Sequence, residues 1–324
     1  VKAIQVVTPG GPNTLQELVV HTPRPGPGEL LVKTAWAGVN FIDTYQRSGR
    51  YPLDLPATLG LEGAGEIAGM GTSVTGFHEG DRVAWAWAQG SYAEYVIVPA
   101  EKSVLIPESM SMEIAAASMM QGVTAQYLIT SVYSAQPGDL ALVHAAAGGV
   151  GLVLCQMLSS RGVTVIGTVS TDEKSQAARL AGAEHVIRYD REDFAPRLLE
   201  ITQGYRCNVV YDSVGADTFE GSLQCLAPRA TLVLFGAASG PVPPFDLQRL
   251  SALGSLTITR PTIAHFLTSP EENNWRATEV FNEIGEGHLA ITLGGKYDLA
   301  DAAQAHRDLE SRATSGKLLL QVAG

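Results

Sequence analysis

The sequence predicts an α/β protein with a doubly wound parallel sheet in its second half and a β-rich region before it. Three observations carry this. From Leu140 onward, short apolar segments alternate with helical stretches. Those segments lack the polar alternation of half-exposed strands, as strands covered on both faces do. A glycine-rich turn, AAAGGVG at Ala145 to Gly151, stands between the first of these strands and a helix. Before Gln121 the apolar runs are short and punctuated by glycine and proline.

The 324 residues leave room for two domains at roughly 150 residues each. In the first region, Leu30 to Trp36 and Tyr92 to Val98 read as strands, and TPGGPN (Thr8 to Asn13) and TPRPGPGE (Thr22 to Glu29) as breaks. The glycine-rich run from Leu59 to Gly71 suits tight barrel corners. A helix is predicted through Thr124 to Val132, then QPGD (Gln136 to Asp139) breaks the chain before the strand LALVHAA. Strands follow at Thr164 to Val169, His185 to Tyr189, Asn208 to Val214, Ala230 to Gly236 and Ser255 to Thr259. Helices are expected up to Leu180, over Phe194 to Thr202 and over Phe219 to Cys225. The tail holds a helix, Ala302 to Leu309, and a last strand, Lys317 to Val322.

Composition excludes several classes. With 22 Lys plus Arg against 33 Asp plus Glu, the net charge of -11 argues against a surface that tracks nucleic-acid phosphates. Cys155, Cys207 and Cys225 form no CxxC pair and no zinc spacing with histidine, so buried thiols in a reducing compartment are expected. The start, VKAIQVV, lacks the plan of a signal peptide. The apolar stretch Leu140 to Leu158 is broken by His144, Gln156 and the glycine turn, so it reads as strand, turn and helix rather than a membrane span. The cytoplasm is the expected location.

The glycine turn carries the strongest local chemistry. Ala146, Gly148 and Gly151 occupy the three positions of a G-x-G-x-x-G fingerprint, with alanine a departure at the first. Gly148 lets the backbone approach a pyrophosphate, Gly151 lets the helix pack close to the strand, and the helix start offers unpaired N–H groups to an anion. An NAD site places a carboxylate about 20 residues past this motif. Here the second strand ends Val169-Ser170, and Asp172 and Glu173 come late, as the start of the next helix. Ser170, Lys174 and Tyr189, without an acid, suit the 2′-phosphate of NADPH. His144 reads as a satisfied core residue, and no G-x-S-x-G nucleophile elbow is present.

The remaining motifs point to one family. VNFIDTYQRSGRYP (Val39 to Pro52), GLEGAGE (Gly60 to Glu66), QGVTAQYL (Gln121 to Leu128), YDSVG (Tyr211 to Gly215) and ESRATSGK (Glu310 to Lys317) resemble the zeta-crystallin-like quinone oxidoreductases, a branch of the medium-chain dehydrogenase/reductases. The likeness runs along essentially the whole chain. It implies a Rossmann domain at 124–262 and a discontinuous β-rich GroES-like domain made of 1–123 and 263–324. It implies NADPH as cofactor and a quinone as hydride acceptor. An enone or alkenal double bond is the alternative substrate, and a non-catalytic NADPH-binding module with a structural or RNA-binding role is the reading from another class.

The resemblance also implies site residues. Asn40, Phe41 and Tyr45 line the nicotinamide end, with Asn40 and Tyr45 as orienting hydrogen-bond donors. Thr124 and Tyr127 belong to the cofactor set. Gly148, Gly149 and Val150 meet the pyrophosphate, and Ser170, Lys174 and Tyr189 the 2′-phosphate. Ser213 lies near the ribose or adenine, Phe235, Gly236 and Ser239 run beside the nicotinamide half, and Arg312 closes over the phosphate end. Zinc-dependent relatives carry a cysteine where Asn40 stands and a histidine where Leu61 stands, so no metal is expected and Glu62 reads as structural. A homodimer joined through Ser255 to Thr259 is expected.

Overall fold

The computed structural model describes residues 1–322; residues 323 and 324 lie outside the described residues. The chain divides into two compact units. The first takes Val1–Val123, Phe266–Gly287 and the segment from Ile291, and the second takes Thr124–His265 with His288–Ala290.

In chain order the elements begin with β1 (Lys2–Val6), β2 (Leu15–Val19), β3 (Glu29–Val39), α1 (Phe41–Arg47), β4 (Ala57–Thr58), β5 (Glu62–Met70), β6 (Arg82–Ala86), β7 (Tyr95–Pro99), β8 (Ser103–Leu105) and α2 (Met112–Tyr127). Then come β9 (Leu140–Val143), α3 (Gly149–Ser160), β10 (Thr164–Val169), α4 (Asp172–Leu180), β11 (His185–Arg188), α5 (Phe194–Ile201), β12 (Cys207–Asp212), α6 (Phe219–Gln224), β13 (Leu226–Leu234), α7 (Gln248–Ala252) and β14 (Thr257–Thr259). The chain ends through α8 (Pro270–Gly285), β15 (Leu293–Asp298), α9 (Ala302–Glu310) and β16 (Lys317–Gln321).

The second unit is built on one sheet in the order β11-β10-β9-β12-β13-β14, with every pairing parallel. Its strand order reverses between β9 and β12, the switch point outside which ligands bind in open α/β sheets. The central strands β9, β10 and β12 are buried almost throughout, which is why they read as continuous apolar runs. Leu142, Ile166, Val210 and Leu232 from the sheet pack with Leu198, Phe219 and Leu223 from α5 and α6. Before β9, the chain turns at Gly138 (φ 89), and the Asp139 carboxylate accepts the Gln136 N–H at 2.8 Å. The three cysteines are buried and unpaired.

The first unit carries a seven-stranded sheet, β15-β16-β3-β5-β6-β8 with β7 paired to β3, and a small sheet of β2, β1 and β4. The eleven-residue β3 is the spine, pairing antiparallel with β5, β7 and β16. Leu30, Val32, Ile67, Val83, Trp85 and Val98 form one core, and Ile4, Val39, Leu59, Tyr92, Leu318 and Leu320 another.

Two expectations need correcting. Most of the Leu59 to Gly71 run is the strand β5 rather than corners: only Gly60 (φ 91) and Gly71 flank the strand, and a side chain at Gly65 would strike the Lys33 carbonyl of β3. The helix expected over Thr124 to Val132 begins at Met112, and Leu128–Val132 is a wider π turn at its end. Residues 115–129 are buried on every side, so the helix presents no polar face whose period could reveal it. No described helix is long and apolar enough to cross a membrane.

Candidate active site

In the second unit, the residues singled out by sequence gather at the carboxyl ends of the parallel strands. The turn after β9 is braced from both sides: the Ala146 N–H donates to the Thr168 carbonyl of β10 at 3.1 Å, and the His144 N–H to the Tyr211 carbonyl of β12 at 3.0 Å. Ala145 takes a left-handed backbone (φ 50), and Gly148 caps α3. Gly149 and Val150 open α3, whose first turn holds no acidic residue to compete with a bound anion. A Cβ at Gly151 would strike the Ala145 carbonyl and lie 2.9 Å from Ala146 Cα, so only glycine lets α3 approach this closely. The alanine at the first fingerprint position is accommodated across the sheet, because a Cβ at Gly167 would come within 2.7 Å of the Ala146 methyl.

Ser170 follows β10, Lys174 sits in the first turn of α4, and Tyr189, 46% exposed, follows β11. Thr171 caps α4 by accepting the Lys174 backbone N–H at 3.2 Å. Asp172 is the first carboxylate after β10 in sequence, but it is committed. Arg188 and Arg191 both bind it, Arg191 at 3.0 Å, and Arg188 also binds Asp190 at 2.7 Å. The Arg188 hydrogen bond holds Asp172 below the usual carboxylate range.

Ser213 lies just past β12, and Phe235, Gly236 and Ser239 lie past β13. The Phe235 and Gly236 N–H groups both donate to the Asp212 carbonyl, at 2.9 and 3.3 Å. The Ser239 hydroxyl is engaged within the loop, donating to the Val214 carbonyl at 2.8 Å and accepting the Asp217 N–H at 3.0 Å. Beneath them, the buried Asp212 carboxylate accepts the Val214 and Gly215 N–H groups and the Thr218 and Ser222 hydroxyls. Ser222 donates to Asp212, so its oxygen accepts from His144 Nε2 at 3.0 Å. His144 Nδ1 then accepts from the Thr168 hydroxyl at 2.9 Å. Burial lowers the His144 pKa, and the ring is a neutral, fully bonded core residue.

In the first unit, Asn40, Phe41 and Tyr45 lie at the junction of β3 and α1, all half-buried. Asn40 precedes the helix, and its N–H donates to Asp43 Oδ2 at 2.8 Å. The Tyr45 ring stands edge-on to Tyr51 at 5.5 Å, with the Arg50 guanidinium 4.6 Å from its centre. Arg312 follows α9 in a left-handed backbone (φ 57) on an exposed stretch. In α2, Thr124 and Tyr127 are buried, with Tyr127 2% exposed.

Sequence reasoning missed the network beneath Asn40. Asn40 Nδ2 donates to Glu62 Oε1 at 2.8 Å, Lys317 Nζ donates to Asn40 Oδ1 at 2.8 Å, and Lys317 also binds Glu62. The Met120 N–H donates to Glu62 Oε2 at 2.7 Å. Register makes this meeting possible. Leu318 faces Val39, so the next step along both strands sets Lys317 beside Asn40. Gly63 faces Ala37, so Glu62 crosses β3 at Gly38, where a Cβ would lie 2.6 Å from Glu62 Cγ. Burial pulls Lys317 down to about 7, opposed by the Asp43 charge.

A second buried chain adjoins it. The Tyr92 hydroxyl donates to Asp43 Oδ2 at 2.9 Å and meets His306 Nε2 at 3.2 Å. Arg47 donates to His306 Nδ1 at 3.0 Å and pairs with Glu310 at 2.7 Å. Arg47 can only donate, so Nδ1 accepts and Nε2 carries the ring proton toward Tyr92. Burial, with Arg47 adding to it, lowers His306 to about 3; burial raises Asp43 to about 6. Among the described residues, no three His, Cys, Asp or Glu side chains group as a metal set.

Residues 26–108 match the alcohol dehydrogenase GroES-like domain, and residues 149–279 the zinc-binding dehydrogenase family. The chain is 47% identical over 321 residues to a quinone oxidoreductase of Pseudomonas aeruginosa, covering 98% of this chain and 99% of the relative. It superposes on the Escherichia coli quinone oxidoreductase, solved in complex with NADPH, with a TM-score of 0.97 at 43% identity, covering 99% of this chain and 100% of that one. A 2-haloacrylate reductase from Burkholderia is 38% identical over 96% of each chain. The chain belongs to the quinone oxidoreductase family of the medium-chain dehydrogenase/reductases.

Proposed function

We propose that this protein reduces quinones with NADPH and without a metal ion. The observation that carries the cofactor choice is the fate of Asp172. Two arginines hold Asp172, the first carboxylate after β10 in sequence, while Ser170, Lys174 and Tyr189 follow the ends of β10 and β11. The α3 start, held close to β9 by Gly151, fits a pyrophosphate at Gly148, Gly149 and Val150, with Ser213, Phe235, Gly236 and Ser239 along the remaining strand ends. Bound NADPH would supply a hydride. Asn40 and Tyr45 serve as hydrogen-bond donors to the acceptor oxygen on which charge collects, and water supplies the proton. A quinone is already a good hydride acceptor, so orientation suffices where a Lewis acid would otherwise act. In place of a metal set, Asn40, Leu61 and Glu62 stand with the Lys317 ammonium. Activity should therefore survive chelation.

The test is NADPH oxidation by the purified protein. It should proceed only when a quinone is added, and NADPH should be preferred to NADH. Lys174→Ala should raise KM for NADPH about tenfold, the loss of one charge-assisted hydrogen bond, and leave KM for NADH unmoved. Equal use of NADH by the unaltered protein would refute the assignment of Lys174.

A second reading, reduction of an activated C=C bond, draws support from the likeness to a 2-haloacrylate reductase. Rates on a quinone and a simple enone, measured side by side, decide between them.

We further propose a homodimer paired through β14, the edge strand of the parallel sheet, whose open backbone groups can extend the sheet into a second copy. Light scattering should give twice the chain mass, and a monomeric mass at micromolar concentration would end this idea.

A further inference from the structure

Three polar groups meet at the end of β3, and their chemistry leaves one arrangement. An ammonium can only donate and a carboxylate can only accept. Lys317 is 3% exposed and Glu62 is fully buried, so neither charge can turn to water instead. Oδ1 of Asn40 must therefore face Lys317, and Nδ2 must face Glu62. With Lys317 as its ammonium, the orientation of this amide is dictated by the ion pair rather than by choice of fit. Nδ2 carries two hydrogens. Among the described residues only Glu62 accepts one of them, and the other stays on a half-exposed side chain.

Stability does not account for this arrangement. A buried ion pair adds little over apolar residues of the same volume. The chain nevertheless keeps a glycine at position 38 so that the Glu62 side chain can cross β3 to reach the pair. What the pair does accomplish is to lock Asn40.

We propose that Lys317 is a positioning residue for the reaction: it holds the Asn40 amide so that one N–H is reserved for the oxygen of a carbonyl acceptor, a quinone or an α,β-unsaturated carbonyl. The inference rests on the acceptor reading above. As hydride reaches the acceptor, negative charge collects on that oxygen, and a donor already fixed in place needs no reorganisation to stabilise it. Without Lys317 the amide oxygen loses its donor and the Asn40 side chain is held by Glu62 alone, so it can swing about its side-chain torsions and carry the second N–H off the acceptor oxygen.

The test uses the full chain with Lys317→Met, the double variant Glu62→Gln/Lys317→Met, and Asn40→Ala. The double variant removes both charges of the Glu62–Lys317 pair, so it keeps the test open if the single variant does not fold. The first readout needs no turnover. The Asn40 side-chain amide signals, assigned by their loss in Asn40→Ala, should move and exchange with water faster in both Lys317 variants.

The second readout is kcat over a series of quinones at saturating NADPH. Both Lys317 variants should lose about 100-fold on the weakest acceptor, as when one oxyanion donor is removed, with KM for NADPH unchanged. The deficit should shrink as the acceptor becomes stronger, because less charge stabilisation is then needed. Unmoved Asn40 signals, or an equal loss of kcat on every acceptor, overturns the proposal. If the unaltered protein reduces no quinone and no enone, the functional reading falls by itself, and the Asn40 signals still decide whether Lys317 holds that amide.

Discussion

Glu62→Leu is expected to lower the unfolding free energy by about 3–5 kcal/mol, since it strands a charge in the interior. Lys317 is buried, and its cation would keep only the Asn40 amide oxygen as a direct partner. The Met120 N–H would lose its acceptor too. The double variant Glu62→Leu/Lys317→Met should recover most of the loss, because removing both charges also removes the cost of desolvating them. Denaturant midpoints at constant m-value check both. A single variant within about 1 kcal/mol of the parent, inside the range of ordinary surface substitutions and exposed ion pairs, would mean that the pair is not enclosed.

Gly151→Val should abolish dinucleotide binding. Its Cβ alone would overlap the Ala145 carbonyl and crowd the Ala146 backbone, and a branched side chain adds two more carbons. Backbone atoms cannot swing aside as a flexible side chain can, so α3 must back away from β9. Overpacking of this kind costs about 1–3 kcal/mol of stability. Binding suffers more, because the amide groups of Gly149 and Val150 move with the helix. Losing two hydrogen bonds to a charged phosphate, each about 1.5–3 kcal/mol, lowers affinity at least about 100-fold. Calorimetric titration with NADPH, beside a circular dichroism spectrum showing a folded chain, measures this. Parental affinity would mean that the pyrophosphate binds elsewhere.

The two halves of the chain differed in how much they disclosed. In the second unit, strands buried on both faces read as apolar runs, and the site residues follow those strands directly, so position in sequence gave position in space. Asn40 and Tyr45 came from a motif rather than from periodicity. Lys317 and His306 carry no comparable local signal. Lys317 is 277 residues from Asn40 and His306 is 214 from Tyr92, and only the pairing of β16 with β3 and the packing of α9 bring them together. The one available clue was a lysine opening the final strand directly before three leucines. The start of α2, before Thr124, escaped for the opposite reason: burial on all sides erased its pattern.

The three cysteines acquire a meaning once the proposed substrate is considered. Quinones are electrophiles that add to thiolates. Burial pushes the thiols of Cys155 and Cys225 up to about 12 and that of Cys207 well above its ordinary value, and none of the three reaches the surface. A folded protein of this design offers its own substrate no exposed thiolate to arylate, and so can work in the presence of compounds that would inactivate an enzyme with an exposed, acidic thiol.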